Sequence, residues 1–150
     1  MAVIGYGSHP ARLSDLLDSF TPEERQDIRL LDAEENLVAE ERSLNKFPQT
    51  SWGSLVWDDA DVIRQRSASD QLDASSLLKE WVAELTSPES EVIIFWGNLV
   101  VPSVAMSSRM LAEHVEEVIG ISSDLWVYAD RERLIIERYH EGLITAARVS

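Results

Sequence analysis

The chain has 150 residues, 45% of them hydrophobic, with no cysteine and 27 acidic residues against 13 basic ones, a net charge of −14. The missing cysteines exclude disulfides, thiolate nucleophiles and cysteine-ligated metal. The charge disfavours nucleic-acid backbone and anionic membrane as partners, and the length and apolar content suit a single domain over residues 1–150.

The start, Met1 to Pro10, has no basic segment followed by an apolar run. No signal peptide is therefore expected, and the expected compartment is the cytoplasm. Gly5-Tyr6-Gly7 lacks the third glycine of a phosphate-binding loop and reads as a flexible turn. Pro10 then opens a helix with Leu13, Leu16, Leu17 and Phe20 on one face. Thr21-Pro22-Glu23-Glu24 has the form of a capping box. Behind it, Leu30, Leu37 and Leu44 recur at seven-residue steps, which favours a helix from about Pro22 to Asn45. The competing arrangement is a hairpin, with Ile28–Leu31 and Leu37–Ala39 paired across an Asp32–Asn36 turn.

Phe47–Gly53 reads as a loop and Leu55-Val56-Trp57 as a short strand. Asp58, Asp59 and Asp61 sit where a short helix through Arg66 would begin, complementing its dipole. Ser67–Ser76 is polar and the one linker candidate. Leu77, Leu78, Trp81, Val82 and Leu85 form the stripe of an amphipathic helix over Ser76–Leu85. Glu91–Trp96 is a β-branched and aromatic run, the pattern of a central strand. Gly97-Asn98 turns, and Leu99–Val101 is extended. A helix from Ser103 to Ile119 turns Val104, Leu111, Val115, Val118 and Ile119 inward, and Gly120 closes it. Leu125–Ala129, Arg133–His140 and Leu143–Val149 form a three-stranded meander. The expected class is α+β, with a helical N-terminal half. A mostly antiparallel sheet comes largely from the C-terminal half, and one helix packs on it.

No catalytic motif emerges. The histidines are His9, His114 and His140. His114 with Glu117 at helical spacing gives one imidazole and one carboxylate, too few ligands for a metal site. His140, in a hairpin turn, is read as bonding a turn carbonyl. No Gly-x-Ser-x-Gly nucleophile is present. The expected catalytic residues, metal ligands and cofactors are none. The acidic clusters carry more: Glu23, Glu24 and Asp27; Glu34, Glu35, Glu40 and Glu41; Asp58, Asp59 and Asp61; and Glu113, Glu116 and Glu117. Solvated helix faces account for the glutamates. Trp57-Asp58-Asp59-Ala60-Asp61 instead joins an aromatic anchor to dense negative charge, as an interface for a basic protein would. Trp52, in a polar loop, and Trp126 and Tyr128, on one face of a strand, complete the candidate contact set.

The C-terminal half carries a resemblance to a known class. Ile93-Ile94-Phe95-Trp96-Gly97 is followed by the Pro102-led helix. Asp124-Leu125-Trp126-Val127-Tyr128 is followed by Ile135-Ile136-Glu137-Arg138-Tyr139-His140-Glu141-Gly142. With its size and acidity, this stretch resembles the immunity proteins of contact-dependent growth inhibition and related polymorphic toxin systems. The resemblance implies a small cytoplasmic protein that binds one cognate toxin, often a nuclease, and blocks its active site or substrate surface. The acidic charge adds the expectation of a basic toxin bound 1:1, with no nucleic acid or membrane as partner. A small enzyme with a dispersed His/carboxylate site, and an acidic adaptor or DNA mimic, are the other expectations the residues leave open.

Overall fold

The computed structural model describes residues 5–51 and 53–150. Its seven strands form one antiparallel sheet: β1 (Arg29–Leu30), β2 (Asp61–Ser67), β3 (Glu91–Trp96), β4 (Val104–Ser107), β5 (Leu125–Ala129), β6 (Leu134–Arg138) and β7 (Leu143–Arg148). They lie in the order β1-β4-β3-β5-β6-β7-β2. The helices are α1 (Ser14–Asp18), α2 (Pro22–Gln26), α3 (Ala33–Arg42), α4 (Gln71–Leu85), α5 (Ser108–Glu113) and α6 (Val115–Ile121). The α+β class is as the sequence implies, and β3 and the β5–β7 meander fall at the expected places.

Strand alternation sorts the core into two layers. Val92, Ile94, Trp96, Val104, Met106, Val127 and Ile136 face α1, α4, α5 and α6. In α4, the Leu77, Leu78, Trp81 and Val82 stripe is buried on this side, each side chain contributing about 1.5–3 kcal/mol over its exposed state. Phe95, Ala105, Tyr128, Ile135 and Ala147 face the opposite way, where Ala39 of α3, Leu44 and Leu55 cover them. Helices therefore lie on both faces of the sheet rather than one.

Four expected elements are corrected. The single helix from Pro22 to Asn45 is broken by an extended segment. Thr21 caps α2 with Glu24 as expected, but Asp32 is a second capping-box residue with Glu35, and its ψ of 176° is not helical. The segment before it is extended, as the hairpin alternative has it, but β1 pairs with β4 rather than with Leu37–Ala39. Leu30 and Leu37 of the heptad series are 38% and 50% exposed. Residues 58–66 form no helix: Asp61–Ser67 is the edge strand β2, paired with β7. Leu55 makes only an isolated bridge, to Gln49. The expected Ser103–Ile119 helix begins as β4, paired with β3, and α5 starts only after Ser107, whose side chain accepts the Met110 N–H. Gly120 lies inside α6 rather than after it.

Three local readings also change. Leu99–Val101 turns rather than extends, with the Val101 N–H donating to Asn98 O at 3.0 Å. The start of α4 is Gln71, so half of the supposed linker is helix, capped by Asp70. Tyr6 is no part of a loose turn: its hydroxyl donates to Leu31 O and accepts the Ser103 N–H, both at 2.9 Å. Among the described residues, no helix is long and apolar enough to cross a membrane.

Candidate functional site

The most unusual residue of the second layer is Glu137, 2% exposed in the middle of β6. Alternation along Leu134-Ile135-Ile136-Glu137-Arg138 places it on the same face as Ile135. A buried carboxylate is unfavourable unless donors satisfy it. Here three N–H groups do. Oε2 accepts the backbone N–H of Leu55 at 2.7 Å and the indole Nε1–H of Trp126 at 2.8 Å. Oε1 accepts the indole Nε1–H of Trp57 at 3.3 Å. Burial pushes the Glu137 carboxyl above the usual glutamate range, against the downward pull of those three donors. Across the β6–β7 pair, Thr145 stands opposite Glu137 and bonds Gln65 of β2 at 3.1 Å.

This clasp holds the 47–61 segment on the sheet. Phe47 meets Trp57 edge to face, with ring centroids 5.1 Å apart. A turn closed by the Ala60 N–H on Trp57 O, at 3.1 Å, puts Asp58 and Asp59 at its two corners. Aspartate suits such positions because its short side chain tolerates turn backbone. Asp61 follows as the first residue of β2, opposite Arg148. All three aspartates are exposed. They border a shallow groove of 370 Å³ whose lining includes Phe47, Pro48, Lys46 and Arg148.

The structure thus sets Trp57 beside Trp126 on the Glu137 face, with Asp58 and Asp59 on the turn that follows, and places Asp61 in the edge strand opposite Arg148, where it lines the same groove as the other two aspartates. The two indoles are half-buried, with their polar ends committed to Glu137. Tyr128 lies two residues along the same face but is 1% exposed, under the second layer. Its hydroxyl donates to Asp130 and accepts from Arg133 at 2.9 Å. Its ring packs within that layer. Trp52 lies outside the described residues. Sequence reasoning missed Glu137, although an acid directly after Leu134-Ile135-Ile136 in a strand is a visible anomaly.

A second polar cluster lies on the helical side. Ser19 Oγ is 3.0 Å from His114 Nδ1, and His114 Nε2 is 3.4 Å from Glu24 Oε2. This alignment has the composition of a nucleophile, base and acid. However, the Ser19 hydroxyl donates to Leu16 O at 2.5 Å. Its single proton is shared between that carbonyl and His114 Nδ1, with the carbonyl the nearer of the two. His114 meets Glu24 rather than Glu117, and among the described residues His114, Glu24 and Glu113 offer ligand atoms within 4.8 Å of one another that could hold a metal. His140 bonds no turn carbonyl: its backbone N–H and Nδ1 both meet the Asp124 carboxylate, at 2.6 and 3.0 Å.

No curated protein matches this sequence. A family model described as CdiI immunity protein, EcoliA0-like, matches residues 15–147. That span takes in all seven strands but for the last residue of β7, together with the Glu137 clasp and the three aspartates, and the chain belongs to this family of immunity proteins.

Proposed function

We propose that this immunity protein neutralises its toxin by covering a basic surface of it, 1:1, with Asp58, Asp59 and Asp61 as the leading contacts. The observation that carries this is the placement of three exposed aspartates on a segment anchored to the sheet by Trp57 and Glu137. Charges fixed to a rigid frame lose less conformational freedom on binding than charges on a loose loop. A net charge of −14 accelerates encounter with a basic partner. Enzymes acting on nucleic acid present such basic surfaces, which favours a nuclease as the toxin. The inhibition works by occupation, without turnover, in the cytoplasm, and calls on neither nucleic acid nor membrane.

The test is a tagged pull-down from the source cells, with washes at rising salt and the bound protein identified by mass spectrometry. One basic protein in equal amount, retained at moderate salt and released from the triple Asp58→Asn, Asp59→Asn, Asp61→Asn variant, is the expected result. Equal retention by that variant removes this surface from the interface. Recovery of many basic proteins that wash off together refutes a cognate inhibitor and favours a general acidic adaptor.

A further inference from the structure

We infer that His114, Glu24 and Glu113 form a binding site for a divalent cation of the zinc class, on the helical side of the sheet and independent of the Asp58–Asp61 groove. The inference begins with protons. Ser19 Oγ lies 2.5 Å from Leu16 O and 3.0 Å from His114 Nδ1, so with the hydroxyl hydrogen on the shorter contact Nδ1 is the donor to Ser19. A neutral imidazole with its hydrogen on Nδ1 has a bare lone pair on Nε2, and that lone pair faces Glu24 Oε2. Two acceptors then confront each other, which is unfavourable unless something positive lies between them.

An imidazolium is one remedy, but the distance argues against it. A charge-assisted N–H···O bond runs to about 2.7–2.9 Å, whereas Nε2 and Oε2 are 3.4 Å apart. Ligands each about 2.0–2.2 Å from a tetrahedral zinc lie roughly 3.3–3.6 Å from one another. The separation of this pair falls in that range, and the Glu113 carboxylate lies within 4.8 Å of both ligand atoms.

The surroundings also fit. A metal-binding histidine usually donates its other ring N–H to a fixed acceptor, which sets the tautomer and the ring orientation. Ser19 supplies that acceptor, itself oriented by Leu16 O. The ring packs on Phe20, centroid to centroid 4.1 Å, and its side chain is only 12% exposed. His114 sits at the junction of α5 and α6, with its backbone N–H held by Met110 O and Leu111 O. Glu24 is fixed through Oε1, which accepts the Thr21 N–H at 2.9 Å and leaves Oε2 free to ligate. Glu113 is exposed and brings its carboxylate from the adjoining position in the chain. Three protein ligands leave a fourth position for water or a partner's side chain.

The experiment is isothermal titration of ZnCl2 into the purified full chain at pH 7, paired with nitrogen-15 NMR of the imidazole. The variants are Glu113→Gln, on an exposed residue, and Glu24→Gln, which keeps a side chain able to complete the capping box. The expected result is one site per chain, a zinc-dependent shift of His114 Nε2, and a loss of affinity of roughly tenfold or more in each variant, a range reached even by outer-shell residues. Absence of binding overturns the inference, as does binding that neither variant weakens. An imidazole found doubly protonated at pH 7 and unmoved by zinc overturns it as well.

Discussion

Glu137, buried in β6, accepts the backbone N–H of Leu55 at 2.7 Å across 82 residues of chain. Through that bond and the Trp57 indole, one buried carboxylate fixes the segment that presents the acidic groove. Replacing Glu137 with Ala leaves three donors without an acceptor, two of them in the layer beneath the loop. Unfolding by urea should show a loss on the order of 1–3 kcal/mol for each donor that stays buried and unpaired. Tryptophan emission should shift to the red as Trp57 and Trp126 meet water. Unchanged stability and emission would show that the loop is held by its apolar contacts alone.

The same carboxyl gives the fold a pH signature. Its pKa is raised in the folded state by burial, so the folded chain holds that proton more tightly than the unfolded one. Stability from this group is fully present below the ordinary glutamate range and is lost as pH rises through the raised value. Glu137→Gln removes the titration. The stability of the wild type relative to this variant should therefore be greatest at about pH 4 and decline toward neutrality. A difference that stays flat, or grows with pH, contradicts the burial argument.

The aspartates should act on association and not on folding. Asp58, Asp59 and Asp61 are exposed, and single surface substitutions there should move stability within about 0.5 kcal/mol. Reversal of all three to Lys should slow capture of a basic toxin by roughly tenfold or more at low salt, an effect that shrinks as salt is added. Stopped-flow association rates at two ionic strengths measure both features. Salt-independent slowing would point to a steric effect of the lysines.

Gly142 joins the β6–β7 turn to the edge strand. Its φ is +103°, and a Cβ there would come within 2.8 Å of Ala68 O, the residue whose N–H donates to Gly142 O. Gly142→Ala should be strained by about 1–3 kcal/mol. For a chain of this length the melting temperature falls by about 2–4 °C per kcal/mol. Gly53→Ala, also at positive φ but with nothing within 4 Å, is the control that isolates backbone strain from the clash.

Tyr128 separates packing from contact. Burial, reinforced by the hydrogen bond to Asp130, pushes its hydroxyl up to about 12, so it stays protonated at any physiological pH. Tyr128→Phe removes the bonds to Asp130 and Arg133, and should lower stability by about 1 kcal/mol. Toxin affinity should stay unchanged. A large affinity loss with an intact fold would place the ring in the interface.

Local chemistry determined much of this protein from the sequence alone. β3 and the β5–β7 meander are legible because their apolar content and turns repeat at strand spacing. The Thr21 capping box is legible because both halves lie within four residues. Asp32 and Glu35 carry the same signal, and the structure breaks the helix there although the seven-residue leucine spacing favours its continuation. The exposed aspartates were visible as charge next to an aromatic. What tertiary structure decided is long-range pairing. β1, β2 and β4 are extended because other strands offer them ladders, β1 and β2 at the two edges of the sheet and β4 next to β1. Nothing within Asp61–Ser67 or Val104–Ser107 announces those partners. The commitment of Trp57 and Trp126 to Glu137 spans 80 and 11 residues, and the meeting of His114 with Glu24 spans 90. Such contacts depend on which faces the folded sheet brings together, and spacing along a chain encodes only neighbours a few residues apart.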